Sequence, residues 1–160
     1  MKKLVTYLWF DKNQAREAAE FYCSLLPDSQ VHLEWDSPND NPSAGKGEPL
    51  VVNFTLNGQP YAGLNGGPHF KPTEAVSFMI LCEDQDEIDR LWTAITTNGG
   101  EESMCGWCKD RWGYSWQITP RRHMEIMESS DEATRERVMK AMMTMKKFDI
   151  AAIEAAAKAN

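Results

Sequence analysis

The sequence predicts an α+β fold, with two β-α-β-β-β modules in tandem followed by a C-terminal helical extension. Three observations carry this expectation. Strand-like and helix-like segments alternate from Leu4 to Thr119. The alternation restarts after Asn65, and a constant offset places Tyr7 on Ser77, Trp9 on Met79, Phe21-Tyr22 on Leu91-Trp92 and Leu25 on Ile95. Beyond residue 129 the pattern becomes helical only, with Val138, Met142 and Met145 on one face. The expected boundaries are 1–128 for the paired modules, module 1 at about 1–68 and module 2 at about 69–128, and 129–160 for the tail.

Each element has its own signal. LVTYLWF, Leu4 to Phe10, is rich in β-branched and aromatic residues and predicts the first strand. NQAREAAEFYCSLL follows with Ala15, Ala18, Ala19, Tyr22 and Leu25 at helical spacing, and Pro27 stops it. QVHLEW alternates as a strand. The stretch from Asp36 to Pro49, with Pro38, Pro42, Gly45 and Gly47, is a long loop. LVVNFTL and PYAGLN flank Asn57-Gly58, a strong hairpin signal. In the second half AVSFMIL predicts a strand, DQDEIDRLWTAITTNGG a helix, and EESMCGW and GYSWQIT two more strands. In the tail, Ser130 or Asp131 caps a helix with Val138, Met142 and Met145 on one face, and Asp149 caps a second, DIAAIEAAAKA. The methionine stripe reads as a packing face.

Composition narrows the function classes. With 160 residues the chain can bury roughly 70% of its unfolded surface, so its core needs neither disulfide nor metal. The formal charge is −7, and the densest basic stretches are Arg121-Arg122 and Lys146-Lys147. No nucleic-acid footprint results. No apolar run is long enough for a membrane span. MKKLVTYLWFDKNQ reads as a first strand and not as a signal peptide, so the expected location is cytoplasmic and the four cysteines are expected to be free thiols.

The tetrapeptide CGWC, Cys105 to Cys108, raises the question of a redox dithiol or a zinc site. A thioredoxin-type dithiol needs its first cysteine at a helix N-terminus, and no helix starts at Cys105. A zinc site needs a second ligand pair, and Cys23, Cys82, His32, His69 and His123 are scattered. The remaining reading is a strand with Cys105 and Trp107 on one face and Met104, Gly106 and Cys108 on the other. His69 lies in the connection between the modules. Six tryptophans, with Trp9, Trp107 and Trp116 on strands, are compatible with an aromatic-lined cavity as much as with a filled core.

The segments LWFDKNQAREAAEFYCSLLPDS, FTLNGQPYAGLNGGPHFKPTEAVSFMI, CGWCKDRWGYSWQITP and VMKAMMTMKKFDI resemble the PhnB-like branch of the vicinal-oxygen-chelate superfamily. That superfamily includes glyoxalases, dioxygenases and bleomycin-resistance proteins, and the branch is often labelled 3-demethylubiquinone-9 3-methyltransferase. The resemblance implies a vicinal-oxygen-chelate fold. It also implies metal-ligand positions on the first and last strands of each module, which fall here on Tyr7, Ser77, Gln117 and either Gly63 or Asn65. These are poor ligands for a transition metal, so no bound metal and no cofactor are expected. The methyltransferase label finds no glycine-rich strand–turn–helix to receive S-adenosylmethionine.

Two functions follow as expectations. One is a binding module whose cup, lined by Tyr7, Trp9, Phe54, Asn65, Ser77, Met79, Trp107, Lys109 and Gln117, holds a small planar or aromatic ligand. The other is a metal-independent enzyme with Cys105 as nucleophile or proton donor, His69 as base, and Lys109 or Asp110 tuning charge. The resemblance further implies a homodimer, in some members with exchanged modules, to which the tail helix would contribute.

Overall fold

The computed structural model describes residues 3–11 and 13–159. The chain divides into two compact units, Met1–Pro72 and Thr73–Asn160. In the first unit the order is β1 (Thr6–Phe10), α1 (Ala15–Leu25), β2 (Gln30–Asp36), β3 (Pro49–Leu56) and β4 (Gln59–Asn65). The second unit repeats it with β5 (Ser77–Cys82), α2 (Gln85–Thr96), β6 (Glu101–Glu102), β7 (Trp107–Lys109) and β8 (Ser115–Pro120). The spatial orders are β1-β4-β3-β2 and β5-β8-β7-β6. In both sheets the first and last strands of the module pair in parallel and the others antiparallel. The duplication expected from the offset pattern is therefore present as topology.

One face of each sheet carries a helix. Leu8, Phe10, Val52, Phe54 and Leu56 are buried with Ala15, Ala18, Ala19, Tyr22 and Leu25 of α1. Ile80, Cys82, Cys108, Trp116 and Ile118 are buried, as are Ile88, Leu91, Trp92 and Ile95 of α2. Each large aliphatic side chain withdrawn in this way contributes about 1.5–3 kcal/mol against exposure. The Asn57-Gly58 hairpin forms with Leu56 opposite Gln59 and both loop residues at positive φ, the geometry that Asn-Gly favours. Helix α2 is capped by Asp84, whose side chain accepts from Glu87 N at 2.8 Å.

One expectation needs correction. EESMCGW is not one strand. Glu101–Glu102 and Trp107–Lys109 form a hairpin whose turn holds Cys105 at φ 58° and Gly106 at φ 77°. Helix α3 (Arg121–Ser129) follows directly after β8. Helices α4 (Glu132–Met142) and α5 (Ile150–Lys158) follow, with Asp131 and Asp149 as N-caps. Ile126, Val138, Phe148 and Ile153 form a separate buried cluster, against which Met142, Met145 and Cys105 pack.

The tail is clasped to the hairpin. Cys105 N donates to Met145 O and Gly106 N to Lys146 O, each at 2.7 Å. A Cβ on Gly106 would lie 2.5 Å from Phe148 Cε2, so the turn needs glycine for space as well as for φ. Gln85 adds a second tie through Phe148 O and Ile150 N, both at 3.0 Å. Among the described residues no helix is long and apolar enough to cross a membrane.

Candidate functional site

Strand register decides which side chains leave the helix-packed face. In the second sheet Ser77 pairs with Ser115 and Met79 with Gln117, while Trp107 pairs with Gln117 and Lys109 with Ser115. Paired residues point the same way, so Ser77, Met79, Trp107, Lys109, Ser115 and Gln117 share the open face. Trp116 and Cys108 pair on the opposite side, beneath α2. A cleft of about 470 Å³ lies here, and Trp107, Lys109 and Ser115 line it with Glu74, Glu101 and Cys105 among others.

The polar contacts at this face are specific. Gln117 Nε2 donates to Ser77 Oγ at 2.8 Å. Lys109 Nζ is ion-paired with Glu74. That hydrogen bond holds the Glu74 carboxyl below the usual carboxylate range and raises the lysine. Ser115 is 1% exposed, and its Oγ has no hydrogen-bond partner among the described residues. A buried hydroxyl left in this state costs stability unless something meets it.

Cys105 lines the same cleft from the turn and not from a strand face. Its Sγ lies 3.5 Å from Met143 Sδ. Cys108 is buried, and burial pushes its thiol up to about 12, so it carries no thiolate near neutrality. Asp110 is buried and structural. It accepts from Trp112 N at 2.9 Å, Tyr114 N at 3.1 Å and Trp116 Nε1 at 2.9 Å, which fixes the loop between β7 and β8.

The first sheet departs from expectation. Tyr7 pairs with Ala62 and Trp9 with Leu64, so Tyr7 and Trp9 stand on its open face and Tyr7 is 58% exposed. Trp9 is covered locally: Nε1 donates to Gly67 O at 2.8 Å and the ring meets Phe70 edge-on. A Cβ on Gly66 would overlap that ring, which accounts for the glycine. Phe54 and Asn65, expected in the cup, lie on the helix-facing side. Phe54 stacks on Tyr61 and touches Tyr22. Asn65 accepts from Ala15 N at 3.0 Å and donates to Pro49 O at 3.0 Å, supplying the cap that Gln14 does not give α1. His69 is exposed in the segment after β4, within the first unit, and does not line the cleft of the second.

The donor set does not fit the divalent metal that the superfamily resemblance implies. Ser77 and Gln117 are neutral and bonded to each other. On the first sheet the last-strand residues that share the face of Tyr7 and Trp9 are Ala62 and Leu64, whose side chains carry no metal-binding atom, and neither Gly63 nor Asn65 takes that position. Among the described residues no three His, Cys, Asp or Glu side chains are grouped to hold a metal ion.

Sequence reasoning missed Ser115, Glu74 and Glu101. Ser115 was recoverable, being two residues before Gln117 and so on its face. Glu74, in an irregular linker, gave no periodic signal.

Comparison with known proteins gives a consistent result. A family model described as 3-demethylubiquinone-9 3-methyltransferase matches residues 2–119, ending just before α3. The tail stretch VMKAMMTMKKFDI thus lies beyond the matched residues. The structure is similar to the PhnB protein from Bacillus cereus at 30% identity and a TM-score of 0.65, covering 74% of this chain and 99% of that one. It is similar in fold to a protein from Pseudomonas aeruginosa at 21% identity and a TM-score of 0.57, covering 75% and 98%. No curated protein matches the chain.

Proposed function

The chain belongs to the 3-demethylubiquinone-9 3-methyltransferase family, and on that footing we propose that it binds a small planar or aromatic molecule on the open face of its second sheet. The observation that carries this reading is a cleft of about 470 Å³ lined by Trp107, Lys109 and Ser115, on the sheet face that Met79 and the Ser77–Gln117 pair share. An aromatic wall with a few oriented polar groups is the usual make-up of a small-molecule site. Trp107 supplies stacking area, and the polar groups fix orientation.

Methyl transfer, the activity in the family's description, finds less support. Each sheet is four-stranded and mixed, with a helix packed on one face. The crevice at the strand ends of an open parallel sheet, where nucleotide cofactors dock on glycine-rich turns, has no counterpart in either unit. A thiol reaction is also the weaker reading. The backbone of Cys105 is tied to the tail, and among the described residues no histidine lines the cleft.

Titration with planar aromatic compounds, followed by tryptophan fluorescence, tests the proposal. Saturable quenching is expected in the wild type and should be largely lost in Trp107→Phe. Equal saturable quenching in the two proteins, or none in either, would contradict it.

A further inference from the structure

We propose that the polar end of this cleft is a site for a single ligand carboxylate, and that the Glu74 side chain holds that position until a ligand displaces it. The inference rests on the reading of the cleft as a small-molecule site and specifies the chemistry it recognises.

Three observations converge on it. Lys109 and Ser115 face each other in the β7–β8 ladder, so a cation and a hydroxyl are held side by side on regular strands. Ser115 Oγ is buried and has no partner among the described residues, although Ser115 lines the cleft with Lys109 and Glu74. Glu74, which pairs with Lys109, is exposed and sits in a turn outside any strand or helix. A lysine and a hydroxyl on paired strand positions suit the two oxygens of one carboxylate, whereas the Glu74 carboxyl takes the lysine and its own backbone N–H and leaves Ser115 unmet. A ligand carboxylate would take the Lys109 ion pair and also accept from Ser115, which Glu74 leaves unmet.

Charge limits the occupant to one negative group. Glu101 lies opposite Lys109 in the β6–β7 ladder. With Glu74 displaced, Lys109 balances one incoming charge against Glu101 nearby, and a second charge would have no partner. A monocarboxylate is therefore favoured over a phosphate ester. Its planar body would lie toward Trp107, away from the lysine.

Isothermal titration of the full chain with naphthoate, naphthamide and naphthyl phosphate tests this. Naphthoate should bind more tightly than the amide and the phosphate. Glu74→Ala should tighten naphthoate by roughly fivefold, the upper end of what an exposed ion pair is worth, and leave the amide unchanged. Lys109→Met should erase the preference for naphthoate, and Lys109→Arg should restore it in part. Equal binding of naphthoate and naphthamide, or a naphthoate affinity unchanged in Glu74→Ala, would overturn the carboxylate site while leaving the binding function standing. Phosphate binding as tight as naphthoate would overturn the restriction to one charge. Failure of all three probes to bind would overturn both readings.

Discussion

At the scale of single residues, Ser115 is, with His123, a residue whose buried polar atom folding alone leaves unmet among the described residues. The Ser115 hydroxyl is buried without a partner among the described residues, a condition that removal of the oxygen would relieve. Ser115→Ala is therefore expected to unfold at equal or higher denaturant concentration, with a gain of up to about 1 kcal/mol, while ligand affinity falls. A loss of stability would show that the hydroxyl is satisfied and would remove it from the site. Denaturant unfolding and titration on the same variant give the two readings. Residue-level placement was legible in part. Ser77, Met79, Trp107, Lys109 and Gln117 share a face because their strands alternate cleanly. Phe54 and Asn65 were misplaced because a strand's period fixes which residues go together but not which face each set takes, and a slip of one residue inverts the assignment. In YAGLN, Gly63 gives no phase information, and the polar Asn65 is buried because it caps α1.

At the scale of elements, the β6–β7 hairpin links the cleft to the tail. Its turn places Cys105 in the cleft wall while Cys105 N and Gly106 N hold the chain before α5. Gly106→Ala would force a Cβ into the left-handed region and against the Phe148 ring. A destabilisation of at least about 2 kcal/mol is expected from strain and displaced packing together. Chemical denaturation would read it, and an unchanged midpoint would show that the tail does not lean on this turn. The hairpin was not legible in EESMCGW. Two residues of β6 are too few for a period, and a cysteine at positive φ is uncommon enough that no turn is signalled there. The caps at Asp131 and Asp149 were legible, since a carboxylate before a helix acts locally and needs no tertiary context.

At the scale of the whole molecule, the duplicated topology follows from the repeated spacing of apolar residues, and both sheets have the same strand order. What the spacing could not give was the role of the linker, where Gly66 and Gly67 cover Trp9 and Glu74 reaches Lys109. These contacts arise from an irregular segment without period. Met104, Met139 and Met143 are exposed apolar side chains, and such residues suit an association surface. A homodimer is proposed on that basis, and light scattering coupled to size exclusion at micromolar concentration should report twice the chain mass. A monomer there would refute it. The central claim, that the open face of the second sheet binds a small planar molecule, is tested most directly by backbone amide chemical shifts during titration with an aromatic carboxylate. Saturable shifts are predicted at Ser77, Met79, Trp107, Lys109, Ser115 and Gln117. Saturable shifts confined to other residues, or no shifts at all, would contradict the claim.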